Sequence, residues 1–268
     1  MIKTENIKQL YDKEVSENLF IHKYVFSKVF GKTEYIGQYS DNSASEIKRF
    51  GQQLNLPNQS HILDIGSGNG CISNYLSKFF NWNITGIDIG EKNYLKAIEN
   101  NSLEFKNDQL HFVNDDLYIW EPNNKFDGAY GIGSFCHFRP DDLFLKISVL
   151  LNEGGRIGFM ERIKLNKEFT YSELENLTTN WHCPGVYTIK EYQNYLSKDF
   201  EDIHVIDMSD SVKEWHAKSV SVREELKSLI IDLTSEEYYT KSLNLAKYEA
   251  DVCLSNKLGY AMFVATKK

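Results

Sequence analysis

Apolar positions along the chain change their spacing several times, and each change marks a predicted element. Between residues 5 and 30 they recur at intervals of three and four, which predicts one amphipathic helix. A polar segment over residues 37–43 precedes a second helical pattern over Ala44–Leu54, and Pro57 follows it. The N-terminal part of the chain is therefore predicted to be helical.

Short apolar runs then alternate with helical patterns. Strands are predicted over residues 60–65, 83–89, 110–113, 126–131 and 156–161, helices over 71–80, 91–101 and 141–151, and a turn over 152–155. Alternation of this kind is typical of a parallel sheet with helices on both faces.

The remaining residues combine long helical patterns with two more strands. Helices are predicted over residues 168–180, 188–197, 211–233 and 236–256, a loop over 181–185, and strands over 203–208 and 259–266. We predict an α/β fold with a Rossmann-like, mostly parallel, seven-stranded sheet, helices on both faces and a helical cap. We expect a helical cap or lid over 1–55, a cofactor-binding core over 56–165, and cap insertion helices with the last strands over 166–268.

Charge and hydropathy restrict the partners. The 268 residues carry a formal net charge of −8, and no basic face of the kind that binds phosphate backbones is evident. The longest apolar run, Tyr260–Ala265, is far shorter than the roughly 18 residues of a membrane span. The first residues also lack the apolar segment of a secretory signal. We expect a cytoplasmic protein with a small-molecule substrate, without nucleic-acid or membrane partners; the oligomeric state stays open.

Four cysteines are widely separated, and no two form a C-x-x-C pair. Cys136-His137 and His182-Cys183 are adjacent pairs of soft ligands, but a metal site needs more ligands nearby. We therefore expect reduced, mostly buried thiols and no metal ion.

A glycine-rich segment gives the strongest chemical signal. After an apolar strand, Asp64 precedes the turn Gly66-Ser67-Gly68-Asn69-Gly70, which leads into a helix. Glycine allows close approach of a ligand to the backbone, and the helix N-terminus offers free N–H groups. A carboxylate at this place disfavours a pyrophosphate and attracts an ammonium group. The spacing also lacks a third glycine at Cys71, so we predict S-adenosylmethionine rather than a dinucleotide; a tight turn without ligand is the alternative.

Polar or small residues also follow the next three strands. Asp88, followed by Ile89, stands where a carboxylate can accept both ribose hydroxyls. Asp116, or alternatively Asp115, can accept from the adenine amino group with Leu117 next to it, although either acid could instead cap a helix. Gly131 and Ser134 leave room for the methyl donor. Parallel strand ends meet at one edge, so these residues are expected to form one site.

These segments, together with Leu150–Arg156, resemble the motifs of class I S-adenosylmethionine-dependent methyltransferases over residues 60–160. A looser resemblance covers most of the chain and is to the sarcosine/dimethylglycine and phosphoethanolamine N-methyltransferase group. It depends on five features: Phe30-Gly31 with Tyr35–Tyr39, His137 after the fourth strand, Pro184–Tyr187, the helix around Val212–Leu226, and the ending Ala261–Lys267.

The resemblance implies a cap over the strand ends, with Ile36 and Gly37 near the amino-acid end of the cofactor and His137 facing the substrate. It also implies an active-site tyrosine near the N-terminus. Tyr11, Tyr24 and Tyr39 are the candidates.

Chemistry for the methyl acceptor is assigned to a few side chains. His137 is the candidate base for an amine, with a hydrogen-bonded structural role as the alternative. Glu161 could orient a cationic substrate or be a surface acid. Trp181, His182 and Tyr187 could line an aromatic pocket or only pack.

The function favoured by these residues is methyl transfer from S-adenosylmethionine to a small molecule by in-line displacement, with an amine nitrogen as the preferred acceptor. Oxygen or carbon methylation of a natural-product intermediate is the alternative within enzymes, because Ile132-Gly133 makes the pocket less polar than in the N-methyltransferase group. If the protein is not an enzyme, the alternative is a regulator that binds the cofactor without turnover.

Overall fold

Seven strands form one sheet in the computed structural model, which describes residues 4–9, 12, 16–102, 109–180 and 182–268. The strands are β1 His61–Ile65, β2 Asn83–Asp88, β3 Leu110–Asn114, β4 Phe126–Ile132, β5 Leu151–Lys164, β6 Phe200–Asp207 and β7 Leu258–Lys267. Their order across the sheet is β3-β2-β1-β4-β5-β7-β6. The first five strands pair in parallel, and β7 pairs antiparallel with β5 and β6. The predicted mostly parallel, seven-stranded sheet is confirmed.

The helices connect and cover these strands. They are α1 Thr4–Gln9, α2 Ser16–Phe30, α3 Ala44–Leu54, α4 Cys71–Phe80, α5 Glu91–Ser102, α6 Pro140–Leu150, α7 Tyr171–Asn180, α8 Ile189–Leu196, α9 Ser209–Glu225, α10 Lys227–Leu233 and α11 Glu236–Leu254. Among them, α3, α8 and α11 begin at side-chain caps. Ser43 accepts from the Glu46 N–H while the Glu46 carboxylate accepts from the Ser43 N–H, which fixes the start of α3. Among the described residues, no helix is long and apolar enough to cross a membrane.

Apolar side chains cover both faces of the sheet, as strand β7 illustrates. Ala261, Phe263 and Ala265 belong to the buried cluster on one face. Tyr260 and Met262, which alternate with them, belong to the cluster on the other. Successive strand residues point to opposite faces, so a continuous apolar run is what a strand covered on both sides requires.

A third apolar cluster joins the first helices of the chain to the last ones. Val25 and Phe26 of α2 pack with Trp215 and Val222 of α9 and with Tyr239 of α11. The rings of Phe26 and Trp215 meet edge to face with centroids 5.1 Å apart. This helical layer, which we call the cap, encloses the cavity described below.

Three predicted elements differ from the structure. The single helix expected over residues 5–30 is described as two helices, α1 and α2. The helix expected over 211–233 is also two, because Leu226 (φ −87°, ψ 11°) departs from helical geometry between α9 and α10. Its apolar spacing continues across this break, so periodicity could not reveal it.

The turn expected over residues 152–155 lies inside β5. Leu151 already pairs with Phe126 of β4, and the next pair is Arg156 with Gly128, so the intervening residues form a bulge. Gly154 has φ 70°, a backbone angle that glycine adopts readily and that is common in turns. The glycines therefore predict a turn, although the strand continues through them.

Candidate functional site

A cavity of about 1240 Å³ lies at the carboxyl ends of the parallel strands. Small-molecule pockets usually measure about 300–1,000 Å³, so this volume is sufficient for a nucleotide-sized ligand and a small second molecule. One side consists of the segments that follow β1 to β4. The other side belongs to the cap, with Phe26, Trp215 and Glu249 among its lining residues. Open α/β sheets bind ligands at this edge.

The glycine-rich segment after β1 forms the tight turn that the sequence predicts. Gly66, Gly68 and Gly70 have φ values of 71°, 55° and 73°, which side chains rarely allow. The N–H groups of Gly66 and Ser67 donate to the Ile87 carbonyl of β2. Gly66, Ser67 and Gly68 line the cavity, whereas Gly70 is the N-cap residue of α4 behind it.

Asp64 lies beneath this turn and does not line the cavity. Its Oδ2 accepts hydrogen bonds from Ser73 Oγ (2.5 Å) and Tyr130 Oη (2.8 Å). Burial raises the pKa of Asp64 to about 7, although the two hydrogen bonds act in the opposite direction and lower it. This placement corrects the expectation that Asp64 faces the ligand: its carboxylate lies beneath the turn and supports it from below.

Asp88 at the end of β2 does line the cavity. Its Oδ2 accepts the Gly68 N–H (2.8 Å), and its Oδ1 accepts the Gly90 N–H (2.8 Å) and Asn93 Nδ2 (3.3 Å). Burial raises the pKa of Asp88, and these donors oppose the rise. A carboxylate has about four acceptor positions, so one remains for a hydroxyl group. Ile89 lines the cavity beside it.

The segment after β3 places Asp115, Asp116 and Leu117 in the cavity wall. Asp115 Oδ1 accepts the Asp116 N–H (2.8 Å), and Asp116 Oδ1 accepts the Tyr118 N–H (2.9 Å). Both acids therefore cap the local turn, which is the alternative that the sequence left open, while they also face the cavity.

The end of β4 packs against the glycine turn. Ser134 Oγ donates to the Ile65 carbonyl (2.5 Å), and a Cβ on Gly66 would lie 2.5 Å from the Ser134 Cβ. Gly131 has no room for a side chain, since a Cβ there would meet Phe135 at 2.1 Å. Of this pair, Ser134 lines the cavity and Gly131 lies behind it.

The segment between α2 and α3 closes over the turn. Asn69 Nδ2 donates to the Gly37 carbonyl (2.7 Å), and a Cβ on Gly37 would lie 2.8 Å from Cys71 Sγ. Tyr39 lines the cavity next to Gly68, whereas Ile36 packs against the core and, like Gly37, lies outside the described lining. The resemblance implied that Ile36 and Gly37 lie near the cofactor. In the structure both residues lie behind the cavity wall.

On the acceptor side, His137 lies in a 3₁₀ turn, Phe135–His137, after β4. The His182 carbonyl accepts a hydrogen bond from the His137 ring. Burial lowers the pKa of His137, but the neighbouring Cys136 and Glu161 outweigh it and raise the value overall. Cys136 itself has a pKa well below the usual value, because Cys183 donates a hydrogen bond to it and His137 is close.

Not all predicted acceptor residues reach the cavity. Tyr24 is 43% exposed on α2 and lies outside the described lining. Glu161 is fully buried, and its two oxygens accept the backbone N–H groups of Cys136 (2.9 Å) and Arg162 (2.8 Å). Burial raises the pKa of Glu161 to about 8. These placements correct the expectation that Tyr24 and Glu161 contact the acceptor, since one faces solvent and the other holds backbone amides.

The aromatic expectation is met only in part. Tyr187 lines the cavity, whereas the side chain of His182 lies outside the described lining. His182 has φ 47°, and it contributes its carbonyl to His137 rather than its ring to the pocket. Trp181 and Tyr11 lie outside the described residues.

Sequence reasoning missed a group of ionisable residues, of which Asp41, Arg162, Arg223 and Glu249 line the cavity and His216 lies behind them. Arg162 and Asp41 form an ion pair (3.0 Å), and His216 lies 3.8 Å from Asp41 and 3.6 Å from Glu249. Burial lowers the pKa of His216 to about 4, so its imidazole is neutral, and burial raises the pKa of Glu249 to about 7. Arg223 donates from Nε to Ser242 Oγ (3.1 Å). Only Arg162 offered a sequence signal, because it follows Glu161 at the end of a predicted strand.

Comparison with known proteins agrees with this geometry. Residues 62–155, which contain the glycine turn, Asp88 and the ends of β3 and β4, match the methyltransferase domain family. This part of the chain is therefore similar to a methyltransferase domain. The resemblance predicted from the sequence is confirmed.

Individual relatives resemble this chain over most of its length. Phosphoethanolamine N-methyltransferase 1 of Arabidopsis thaliana is 24% identical over 250 residues, which cover 90% of this chain and 48% of the relative. The structure of Haemonchus contortus phosphoethanolamine N-methyltransferase 2, with phosphomonomethylethanolamine and S-adenosylhomocysteine, aligns with TM-score 0.82 and 18% identity, covering 97% of this chain and 59% of that one. The chain thus spans about half the length of the curated relative.

Other solved structures share the fold at lower identity. A Galdieria sulphuraria protein described as a sarcosine dimethylglycine methyltransferase aligns with TM-score 0.79 and 15% identity, covering 94% of this chain and 98% of that one. Geranyl diphosphate C-methyltransferase of Streptomyces coelicolor aligns with TM-score 0.69 and 12% identity, covering 85% and 77%. At these identities the similarity establishes the fold of the chain alone.

Proposed function

We propose that the protein transfers the methyl group of S-adenosylmethionine to a small-molecule amine. The observation that carries the proposal is that Asp88, Asp116, Ser134 and His137 line a single cavity at the strand ends. Asp88 receives the ribose, Asp116 or Asp115 faces the adenine amino group, and the glycine turn holds the amino-acid end. In this proposed arrangement the methyl group lies near Ser134, three residues before His137.

The transfer itself needs orientation more than activation. The amine lone pair attacks the methyl carbon, the carbon–sulfur bond breaks, and its electron pair stays on sulfur as S-adenosylhomocysteine forms. The methylated nitrogen then loses a proton. His137 is the acceptor for that proton, because its ring lies in the cavity wall and its orientation is set by the His182 carbonyl.

Charges on the cap favour an amine that also carries an anionic group. Arg223 and Lys241 line the cavity on the side away from the sheet. A guanidinium and an ammonium group suit a phosphate or carboxylate at the far end of the acceptor. This agrees with the phosphomonomethylethanolamine in the Haemonchus structure. Asp41 and Glu249, in the same wall, lie near Arg162 and His216.

Carbon or oxygen methylation is the second candidate, and Ile132 is the observation that favours it. Its side chain lines the cavity at the end of β4, where a polar residue would suit an amine better. An apolar acceptor such as an isoprenoid would find a partner there.

A panel of acceptors separates these functions. Purified full-length protein is incubated with methyl-labelled S-adenosylmethionine and phosphoethanolamine, sarcosine, a phenol, a carboxylate and an isoprenyl diphosphate. We expect labelled product from an amine and none from the others. Transfer only to oxygen or carbon would refute the nitrogen assignment. Tight binding of the donor by calorimetry, with no transfer to any member, would favour the cofactor-binding regulator.

A further inference from the structure

Three soft ligand atoms converge in the cavity wall. Cys136 Sγ, Cys183 Sγ and a ring nitrogen of His137 all lie within 4.8 Å of one another. Cys136 and His137 belong to the 3₁₀ turn after β4, whereas Cys183 comes from the segment between α7 and α8. Each of the two adjacent pairs seen in the sequence thus supplies ligands that the other lacked.

The chemistry of this set selects the ion. Two thiolates and one imidazole suit Zn²⁺, whereas Mg²⁺ and Ca²⁺ require oxygen ligands. Zinc–sulfur bonds of about 2.3 Å and zinc–nitrogen bonds of about 2.0–2.1 Å place tetrahedral ligand atoms roughly 3.5–3.8 Å apart. The three ligand atoms lie within 4.8 Å of one another, so each pair must approach by no more than about 1.0–1.3 Å to reach these separations.

Neighbouring groups orient the ligands in the way metal sites require. The Cys136 backbone N–H donates to the buried Glu161 carboxylate (2.9 Å), which fixes the turn. The His182 carbonyl accepts from the His137 ring, so one ring nitrogen is a donor and the other can bind an ion. The positive charge of the nearby Arg162 is balanced by its ion pair with Asp41, 3.0 Å away, which reduces its repulsion of a bound cation.

We propose that Cys136, His137 and Cys183 form a binding site for one thiophilic divalent ion, Zn²⁺, with a fourth coordination position open to the cavity. All three residues line the cavity, so the open position faces the space assigned to the methyl acceptor. Three protein ligands with one open position are typical of reactive rather than structural zinc sites.

An occupied site changes the chemistry that the cavity supports. Coordination removes the His137 nitrogen from proton transfer, and an amine bound to zinc no longer offers its lone pair. Zn²⁺ therefore inhibits amine methylation, a consequence that rests on the function proposed above. Metal binding itself does not depend on methyl transfer, so the two proposals can fail separately.

Metal titration of the reduced full-length protein tests the site. Protein treated with chelator and kept under a phosphine reductant without oxygen is titrated with Co²⁺ and then with Zn²⁺. We expect one equivalent of Co²⁺ to give thiolate-to-cobalt charge-transfer bands and tetrahedral visible bands, which Zn²⁺ abolishes. Absence of these bands, or a Cys136–Cys183 disulfide that persists under reductant, would overturn the proposal.

Variants locate the ion. Cys136→Ser and Cys183→Ser should each weaken Zn²⁺ binding by more than the roughly 10–100-fold typical of outer-shell partners. Cys253→Ser is the matched control, since Cys253 is also buried but packs in a core cluster with residues of the sheet, outside the described cavity lining. Circular dichroism and donor binding verify folding; if a serine variant does not fold, His137→Gln takes its place. Unchanged cobalt bands in a folded ligand variant would also overturn the proposal.

Discussion

The Asp88 carboxylate accepts a hydrogen bond of 2.8 Å from the backbone N–H of Gly68. The residue that ends β2 is thereby joined to the turn that follows β1, and both line the cavity. A single side chain thus shapes the turn and, in the proposed donor site, offers an acceptor to the ribose. This coupling makes Asp88 the most sensitive position of the proposed donor site.

Replacing Asp88 with alanine should weaken donor binding by about 10- to 100-fold. The estimate follows from the loss of hydrogen bonds to a charged group, worth about 1.5–3 kcal/mol. Isothermal calorimetry with S-adenosylhomocysteine measures it. Asp127→Ala is a matched control, because Asp127 accepts the His61 N–H (2.9 Å) at the opposite end of the sheet. Equal losses in the two variants would remove Asp88 from the donor site.

Donor affinity should rise with pH around neutrality because of Asp64. Its pKa of about 7 means that the carboxyl is protonated below that pH and ionised above it. The ionised form attracts the positively charged donor, so binding strengthens as pH increases from about 6 to about 8. An interaction of about 1 kcal/mol gives roughly a fivefold change.

Calorimetry with S-adenosylmethionine at several pH values measures this dependence, and Asp64→Asn isolates its source. The amide keeps an oxygen for Ser73 Oγ or Tyr130 Oη but cannot ionise. A pH dependence that survives in the variant would assign the effect to another group.

Substituting Gly37 with alanine should destabilise the contact between the glycine turn and the segment before α3. Gly37 has φ 94°, which costs a residue with a Cβ roughly 1–2 kcal/mol, and the added Cβ would meet Cys71 Sγ at 2.8 Å. We expect a loss of about 2 kcal/mol or more in unfolding free energy. Urea denaturation measures it.

A second substitution separates the two causes. Cys71→Ala in the Gly37→Ala background removes the sulfur and should restore the steric part while the backbone strain remains. Full recovery would show that φ is not strained, and no recovery would show that the sulfur is not the obstacle.

His137→Gln should lower turnover by about 100-fold or more while donor affinity changes little. Loss of a general base typically costs about 10²–10⁴-fold in rate, and the donor is expected to contact other residues. Steady-state rates with the amine identified in the acceptor panel, beside calorimetry with the donor, measure the two effects. His111→Gln, at an exposed position on β3, is the control. A fully active variant would leave His137 a structural role only.

Local patterns in the sequence were sufficient for much of the sheet and for the placement of several residues in the cavity wall. The limits of α3 and α4 were predicted to the residue, because a capping box and a glycine turn are signals carried by a few adjacent residues. The positions of Asp88, Asp116 and Ser134 in the cavity wall follow from a general property, since parallel strands end at the same edge.

Burial and distant contacts were decided only by the tertiary structure. Asp64 was expected to face a cation, but the hydroxyls of Ser73 and Tyr130 hold it beneath the turn. Glu161 was expected to meet the acceptor, but two backbone amides hold it. The sequence shows that an acid follows a strand, but the hydrogen-bond donors around its carboxylate are determined by the tertiary structure.

The acceptor side shows the same division most clearly. Cys136 and Cys183 are separated by 47 positions in the chain, and only the packing of the segment after α7 against the end of β4 brings them together with His137. Short-range spacing determines strands, turns and caps because these form between neighbouring residues. Ion pairs and ligand clusters such as these depend on residues that are neighbours only after the cap closes over the sheet.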